Sequence, residues 1–306
     1  MSSGGHGTKA VVAALLANLG IAIAKFVGFG ITGSASMLAE SIHSVADSGN
    51  QGLLLLGGRR AGRRPDEDHP FGYGRERYFW AFIVALVLFS LGGAFAIAEG
   101  VSKIRHPHEL TSPEVAIGIL LLAVLLESWS FRTAIIEAQQ ERGETGWWAF
   151  IRRSKSPELP IVVLEDFGAL VGLVIALTAV ATSLVTDNAL WDGIGTLAIG
   201  VLLTAIAIVL AIEMKSLLMG ETVSDAVDAT IRTAIELDPA VEGLIHMRTQ
   251  HLGPDQLLIG AKVSFASGLS TAELAATVDR LEANVRGAVR ADKLFIYVEP
   301  DVMRQT

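Results

Sequence analysis

The 306-residue chain contains no cysteine. That excludes disulfides and thiolate metal sites, and with them a carrier of soft Cu(I). Charge is scarce as well: 18% of residues are charged, 51% are hydrophobic, and the mean hydropathy is +0.48. A soluble chain of this length seldom has that balance. There is no Gly-rich phosphate loop carrying a Lys and no His-Glu-x-x-His spacing. Gly143 and Gly146 stand isolated in a loop, and six methionines are scattered as core filling. No cleavable leader or transit peptide is expected, because Met1 to Thr8 is short and polar and the first apolar stretch is already span-length. That fits a bacterial inner membrane better than an organelle.

What the chain does have is long apolar runs. A membrane span needs roughly 20 mostly apolar residues. Six stretches qualify, at about 9–29, 35–57, 78–101, 114–136, 159–185 and 189–213. Beyond about residue 214 charges return and the apolar runs shorten. Asp225 to Leu237 has helical spacing and stops at Asp238 and Pro239. Gly243 to His251 and Gln256 to Phe265 read as strands joined around Gly253 and Pro254. Ser270 to Val285 is helical, with Ser270 as N-cap and Glu273 at the capping-box position, and Leu294 to Glu299 is a last strand. The expected architecture is an α-helical membrane protein: a six-span domain over 1–213, then a small α+β domain over 214–306 in α-β-β-α-β order, its sheet covered by helices on one face.

Orientation follows from Lys and Arg in short loops. The loop after the second span holds Arg59, Arg60, Arg63, Arg64, Arg75 and Arg77, and the loop after the fourth holds Arg142, Arg152, Arg153 and Lys155. The opposite loops hold only Lys103 and Arg105, and none around Thr186 to Asn188. Both termini and the C-terminal domain are therefore expected on the cytoplasmic side. The net charge of -8 does not oppose this, since acidic residues contribute little to the rule. Arg59 to Arg64 sit beside a span, where lipid headgroups rather than nucleic acid are the expected contact.

His43 and Asp47 stand four residues apart in the second apolar stretch, on one face of a helix. An imidazole and a carboxylate one turn apart inside a membrane segment form a metal-ligand pair in need of partners, or a polar pair bonding another helix. Glu40, Asn50 and Gln51 extend the polar track. The fifth stretch opens with adjacent acids, Glu165 and Asp166. Asp166 is the stronger ligand candidate; Glu165 binds, relays protons or faces another helix. Glu127, deep in the fourth stretch, is either functional or paired with Lys25 or Arg132. Asp192 reads as an N-cap or first-turn acid of the sixth span.

In the loop from Pro65 to Arg75, Asp66, Asp68 and His69 either bind a divalent ion or form a solvated turn. His106 and His108 beside Glu109 read as a solvated loop. His246 and His251 point to opposite faces of an ideal strand, and His6 in the N-terminal tail is uninformative.

Together these segments resemble the cation diffusion facilitator family of six-span zinc transporters, almost end to end. The resemblance rests on Thr32 to Ser34 and His43 to Asp47, on Asp68-His-Pro-Phe-Gly-Tyr-Gly-Arg75, and on Asp192-Gly-Ile-Gly-Thr. It continues through Leu218 to Glu221, Asp238-Pro-Ala-Val and Val298 to Pro300. Asn50-Gln51-Gly and Leu164-Glu-Asp resemble the branch that includes a mitochondrial zinc transporter of animals. The resemblance implies a homodimer that exports a divalent metal in exchange for protons. It implies no enzyme activity and no cofactor, with a cytoplasmic domain of ferredoxin- or metallochaperone-like fold. His43, Asp47 and Asp166 match three ligands of the family's central site.

Three departures stand out. Val162 occupies the position of the usual fourth ligand and cannot bind metal, which leaves Glu165, Glu127 or water to supply an oxygen. Asp66 and His69 match a site at the mouth, but Tyr73 replaces its next His. Ile245, Lys262 and Tyr297 stand where some relatives carry His in the C-terminal domain, which implies dimerisation by packing without a binuclear metal site there. Zn²⁺ is the expected cargo, and Mn²⁺ or Fe²⁺ becomes the alternative if oxygen ligands dominate. A non-transporting scaffold or sensor and an intramembrane hydrolase are the competing classes; the hydrolase lacks any recognised protease spacing.

Overall fold

The computed structural model describes residues 19–107, 113–289, 291 and 293–301. Part of the expected first span (9–18) therefore lies outside the described residues, as do His6, His108 and Glu109.

The first described helix is α1, Leu19–Thr32. It ends at Gly33, whose φ of +63° places it in the left-handed region and whose N–H bonds back to the Phe29 carbonyl at 2.8 Å. A glycine adopts that geometry without the steric cost of a Cβ. Ser34 then caps α2, Ala35–Ala61, accepting from the Met37 N–H at 3.2 Å. Next come α3, Glu76–Val87, a π-helical stretch over Leu88–Ala94, and α4, Phe95–Arg105. Then follow α5, Pro113–Arg142, the short α6, Trp147–Arg153, α7, Glu158–Thr186, and α8, Leu190–Met219.

Among the described residues, four helical stretches are long and apolar enough to cross a bilayer: Glu76–Arg105, Glu114–Arg142, Glu158–Thr186 and Leu190–Met219. They coincide with the third to sixth expected spans. The described part of α1 is shorter than a span. At 27 residues α2 is long enough, but Glu40, His43, Asp47, Asn50, Gln51 and several serines lower its hydropathy. The chain's glycines let helices approach closely. A Cβ at Gly100 would meet the Leu197 backbone nitrogen at 2.6 Å, and one at Gly200 would meet that of Ile97 at 2.6 Å. Without a hydrophobic drive between helices in lipid, such backbone approach is what packs α4 on α8.

The chain divides into two compact units: residues up to 59 with 79–215, and 60–78 with 216 onward. The second unit contains α9, Asp225–Glu236, β1, Val241–Gly253, β2, Gln256–Phe265, α10, Thr271–Ala288, and β3, Lys293–Asp301. Strand order is β1-β2-β3; β1 and β2 pair antiparallel, while β2 and β3 pair parallel across the α10 crossover.

Alternation on β2 turns Leu257, Ile259, Ala261 and Val263 inward, onto Ile231, Ile235, Leu281 and Val285 of the two helices. The expected capping box forms: Ser270 Oγ accepts from Glu273 N–H at 3.3 Å, and Glu273 accepts from Ser270 N–H at 2.8 Å. Residues 60–78 belong to this unit through Phe71 edge-on to Phe295, with centroids 5.1 Å apart, and Arg77 paired with Asp255 at 3.4 Å.

Candidate functional site

The N-terminus of α2 is tied down by a residue 158 positions later. Asp192, in the first turn of α8, accepts from Ser34 Oγ and Ala35 N–H at 2.8 Å each, from Ser36 Oγ at 2.5 Å and from Ser36 N–H at 3.3 Å. Its side chain therefore caps α2, a task that adds to its place in the first turn of its own helix. A carboxylate at a helix N-terminus satisfies free N–H groups and complements the dipole.

One face of α2 then presents His43 and Asp47, with His43 Nε2 3.6 Å from Asp47 Oδ2. Both ring nitrogens of the buried His43, and Asp47 Oδ1, have no hydrogen-bond partner among the described residues. Buried polar atoms are nearly always bonded, so an unpartnered imidazole and carboxylate oxygen on one face fit a cation that would use them.

On α7 the adjacent acids turn to different neighbours. Glu165 accepts from the Asn50 amide of α2 at 2.6 Å, and Asp166 accepts from Ser130 Oγ of α5 at 2.9 Å. Successive helix residues point about 100° apart, so the pair spans the gap between α2 and α5. Ser44, Asp47 and Gln51 of α2, Glu127 of α5, and Val162, Glu165 and Asp166 of α7 line a single cavity. Four carboxylates from three helices therefore face one small space. Val162 is on its wall, so the place of the missing donor is apolar.

His43 lies one turn back from Asp47, outside that lining. A Cβ added to Gly92 in the π-helical stretch would come 3.8 Å from its Nδ1. In this conformer no three His, Asp or Glu groups among the described residues are gathered closely enough to hold one ion.

Two participants were not singled out as site residues by spacing. Ser130 orients Asp166 from α5. Lys25, fully buried on α1, donates to Ser44 Oγ at 2.7 Å and to Glu40 Oε2 at 3.3 Å, and stands 3.8 Å from Glu127 Oε1. Of the partners weighed for Glu127, Lys25 is the one that meets it.

The loop candidates are exposed. Asp66 accepts from Tyr73 Oη at 2.5 Å and from His69 N–H at 2.9 Å. The Tyr73 hydroxyl holds the Asp66 carboxyl below the usual carboxylate range. Asp66 and His69 thus take part in a self-bonded turn, over which Arg63 stacks on the Tyr73 ring. In the C-terminal unit the Lys262 ammonium pairs with Glu299 at 2.8 Å and Asp301 at 3.2 Å, supplying by itself the positive charge those acids attract. Ile245 and Tyr297 are exposed. His246 is opposite Lys262 in the β1–β2 register, and His106 follows the end of α4.

Residues 11–219 match the family described as the cation efflux transmembrane domain. Among curated relatives, the mouse (Mus musculus) protein named proton-coupled zinc antiporter SLC30A9, mitochondrial, is 30% identical over 84% of this chain and 46% of its own length. Metal tolerance protein C4 of Arabidopsis thaliana is 30% identical over 85% of this chain and 57% of its own. The chain thus spans about half the length of the curated relatives it matches. Among solved structures, the C-terminal domain of MamM, in a single-substitution variant, is 24% identical over 26% of this chain and 99% of that one, with a TM-score of 0.23. With the family matched across more than half of its residues, the chain belongs to the cation diffusion facilitator family of cation efflux proteins.

Proposed function

We propose that this protein exports a divalent cation, Zn²⁺ foremost, from the cytoplasm in exchange for protons by alternating access. The observation that carries this reading is the cavity shared by Asp47, Glu127, Glu165 and Asp166, one turn from the unpartnered imidazole of His43. Four acids at one space inside apolar helices create a potential that a dication relieves.

Asp47, Asp166 and His43 serve as the principal ligands, and Glu165 supplies the oxygen that its bond from Asn50 leaves over. The hydrogen bond from Ser130 leaves Asp166 its second oxygen for the ion. Metal binding needs these groups deprotonated, so a proton and the ion exclude each other at the same atoms. Opening toward the far side lets protons displace the cargo from the carboxylate and imidazole atoms that held it. Apart from Val162 the lining offers only oxygen donors, the Gln51 amide oxygen included, which keeps Mn²⁺ and Fe²⁺ as the second reading.

In this reading α1 and α2 complete six spans, with α2's polar face turned inward, away from lipid. The termini face the cytoplasm of a bacterial inner membrane, and residues 214–306 form a cytoplasmic domain through which two copies pair. No step calls for a catalytic residue or a cofactor.

The test is uptake into proteoliposomes with Zn²⁺, Mn²⁺ and Fe²⁺ at two pH gradients. Asp47→Ala and Asp166→Ala are expected to abolish flux, and wild-type flux is expected to follow the imposed gradient. Normal transport by both variants overturns the site. Metal binding without any flux from the wild-type chain favours a scaffold instead.

A further inference from the structure

The transport reading leaves one buried charge unused. Lys25 is completely buried, and its ammonium touches Ser44 and Glu40 of α2 and approaches Glu127 of α5. Two of these, Ser44 and Glu127, line the acidic cavity. The ammonium is therefore set in the wall of the space where a dication would bind. Burying a lysine among apolar helices is expensive unless it is paired. Here the fold makes room for its partner: a Cβ at position 172 would come 2.6 Å from Glu40 Oε1, so Gly172 on α7 leaves space for that carboxylate where it stands.

The two acids are held differently. Glu40 is hydrogen-bonded to Lys25 at 3.3 Å, whereas Glu127 at 3.8 Å is attracted without a hydrogen bond. Glu40 is the fixed anchor. Glu127, facing both the ammonium and the cavity, can change partners by a small side-chain rotation.

We propose, building on the transport reading, that Lys25 is a tethered counter-ion that competes with the transported dication for Glu127. With the cavity empty of cargo, the ammonium attracts Glu127 as well as Glu40 and offsets part of the repulsion among the acids. An entering dication takes Glu127 over and is bound less tightly than the four carboxylates alone would hold it. On release, Glu127 returns to Lys25, and the empty site is restored. Lys25 is thus a positioning residue: it never touches the ion, and it sets affinity against turnover.

The experiment is calorimetric titration of the detergent-purified full chain with Zn²⁺ and Mn²⁺, together with proteoliposome kinetics. Lys25→Met is expected to bind metal about tenfold tighter or more, since a like charge a few ångströms away is removed. Both KM and kcat are expected to fall. Lys25→Arg, which keeps the charge, should stay near wild type, and the double variant Lys25→Met/Glu127→Gln should return to within about threefold of the wild-type affinity. Unchanged or weaker binding by a monodisperse Lys25→Met protein overturns the proposal. So does an equal effect from Lys25→Arg. If Lys25→Met does not fold, Glu127→Gln alone decides: weaker binding supports the exchange and unchanged binding refutes it. A wild-type chain that neither binds nor moves metal would instead remove the transport reading itself.

Discussion

The Asn50 amide on α2 donates to the Glu165 carboxylate on α7 at 2.6 Å. The neighbouring acid, Asp166, is held from the other side by Ser130. A carboxylate that already accepts one bond is oriented and keeps a second oxygen for an ion. Glu165→Gln preserves a carbonyl for Asn50 but removes a negative charge, so flux is expected to drop by about tenfold, not to vanish. Complete loss in Asp166→Ala beside partial loss in Glu165→Gln is the expected pattern in the uptake assay. If Glu127→Gln abolishes flux while Glu165→Gln leaves it intact, the fourth donor belongs to α5.

Val162 lines the cavity one turn before Asp166 on α7. Residues four apart share a helix face, so Val162→Asp adds an oxygen donor beside the existing acids. Tighter Zn²⁺ binding, by about tenfold, is expected in equilibrium titration, with slower release and lower turnover. Unaltered affinity in a folded variant would mean that the ion does not sit against this face of α7.

Asp192 accepts four hydrogen bonds from Ser34, Ala35 and Ser36 in the described structure. Asp192→Ala removes the acceptor that those buried N–H and O–H groups share, leaving the two serine hydroxyls only each other at 3.0 Å, whereas Asp192→Asn keeps an acceptor oxygen. The alanine variant is expected to lose about 2 kcal/mol or more of stability and the asparagine variant clearly less. Thermal melting in detergent checks the order. Because α2 carries His43 and Asp47, metal affinity should weaken alongside stability in the alanine variant.

How much of this was legible beforehand depends on sequence separation. The third to sixth apolar runs keep a high mean hydropathy despite isolated charges such as Glu127, so length and hydropathy locate their helices. The C-terminal elements announce themselves through alternation on β2 and the Ser270–Glu273 box, both of which are local signals. The i,i+4 spacing of His43 and Asp47 is local too. The hydrogen-bond partners of Asp192, Asp166 and Lys25 lie 156 to 158, 36, and 15 to 19 residues away. No capping or periodicity rule reaches that far, so Asp192 reads only as an N-cap or first-turn acid of its own helix, and Ser130 goes unremarked. Residues 60–78 read as a polar loop because nothing local signals that Phe71 meets Phe295. That Glu165 and Asp166 serve different neighbours depends on where α2 and α5 pack, which helical phase alone does not specify.

In the C-terminal unit, Arg280 donates to both oxygens of the buried Asp238, at 3.1 and 3.3 Å, and the Ala240 N–H adds a third bond at 3.0 Å. The Arg280 hydrogen bonds hold the Asp238 carboxyl below the usual carboxylate range, and the Ala240 N–H adds to the effect. A carboxyl whose native pKa is lowered stabilises the fold above its unfolded value of about 3.9. That stability is lost as pH falls through the lowered native value. Arg280 is half-exposed, so solvent screens the pair, and Arg280→Met is expected to cost only about 1–2 kcal/mol at pH 7. The gap between variant and wild type should stay constant down to about pH 5 and close below about pH 4, as Asp238 protonates in both. Hydrogen exchange of the β1–β3 amides in the full chain, followed from pH 7 to pH 3, checks this. A gap of equal size at both ends would mean that Arg280 contributes through packing of its stem and not through the ion pair.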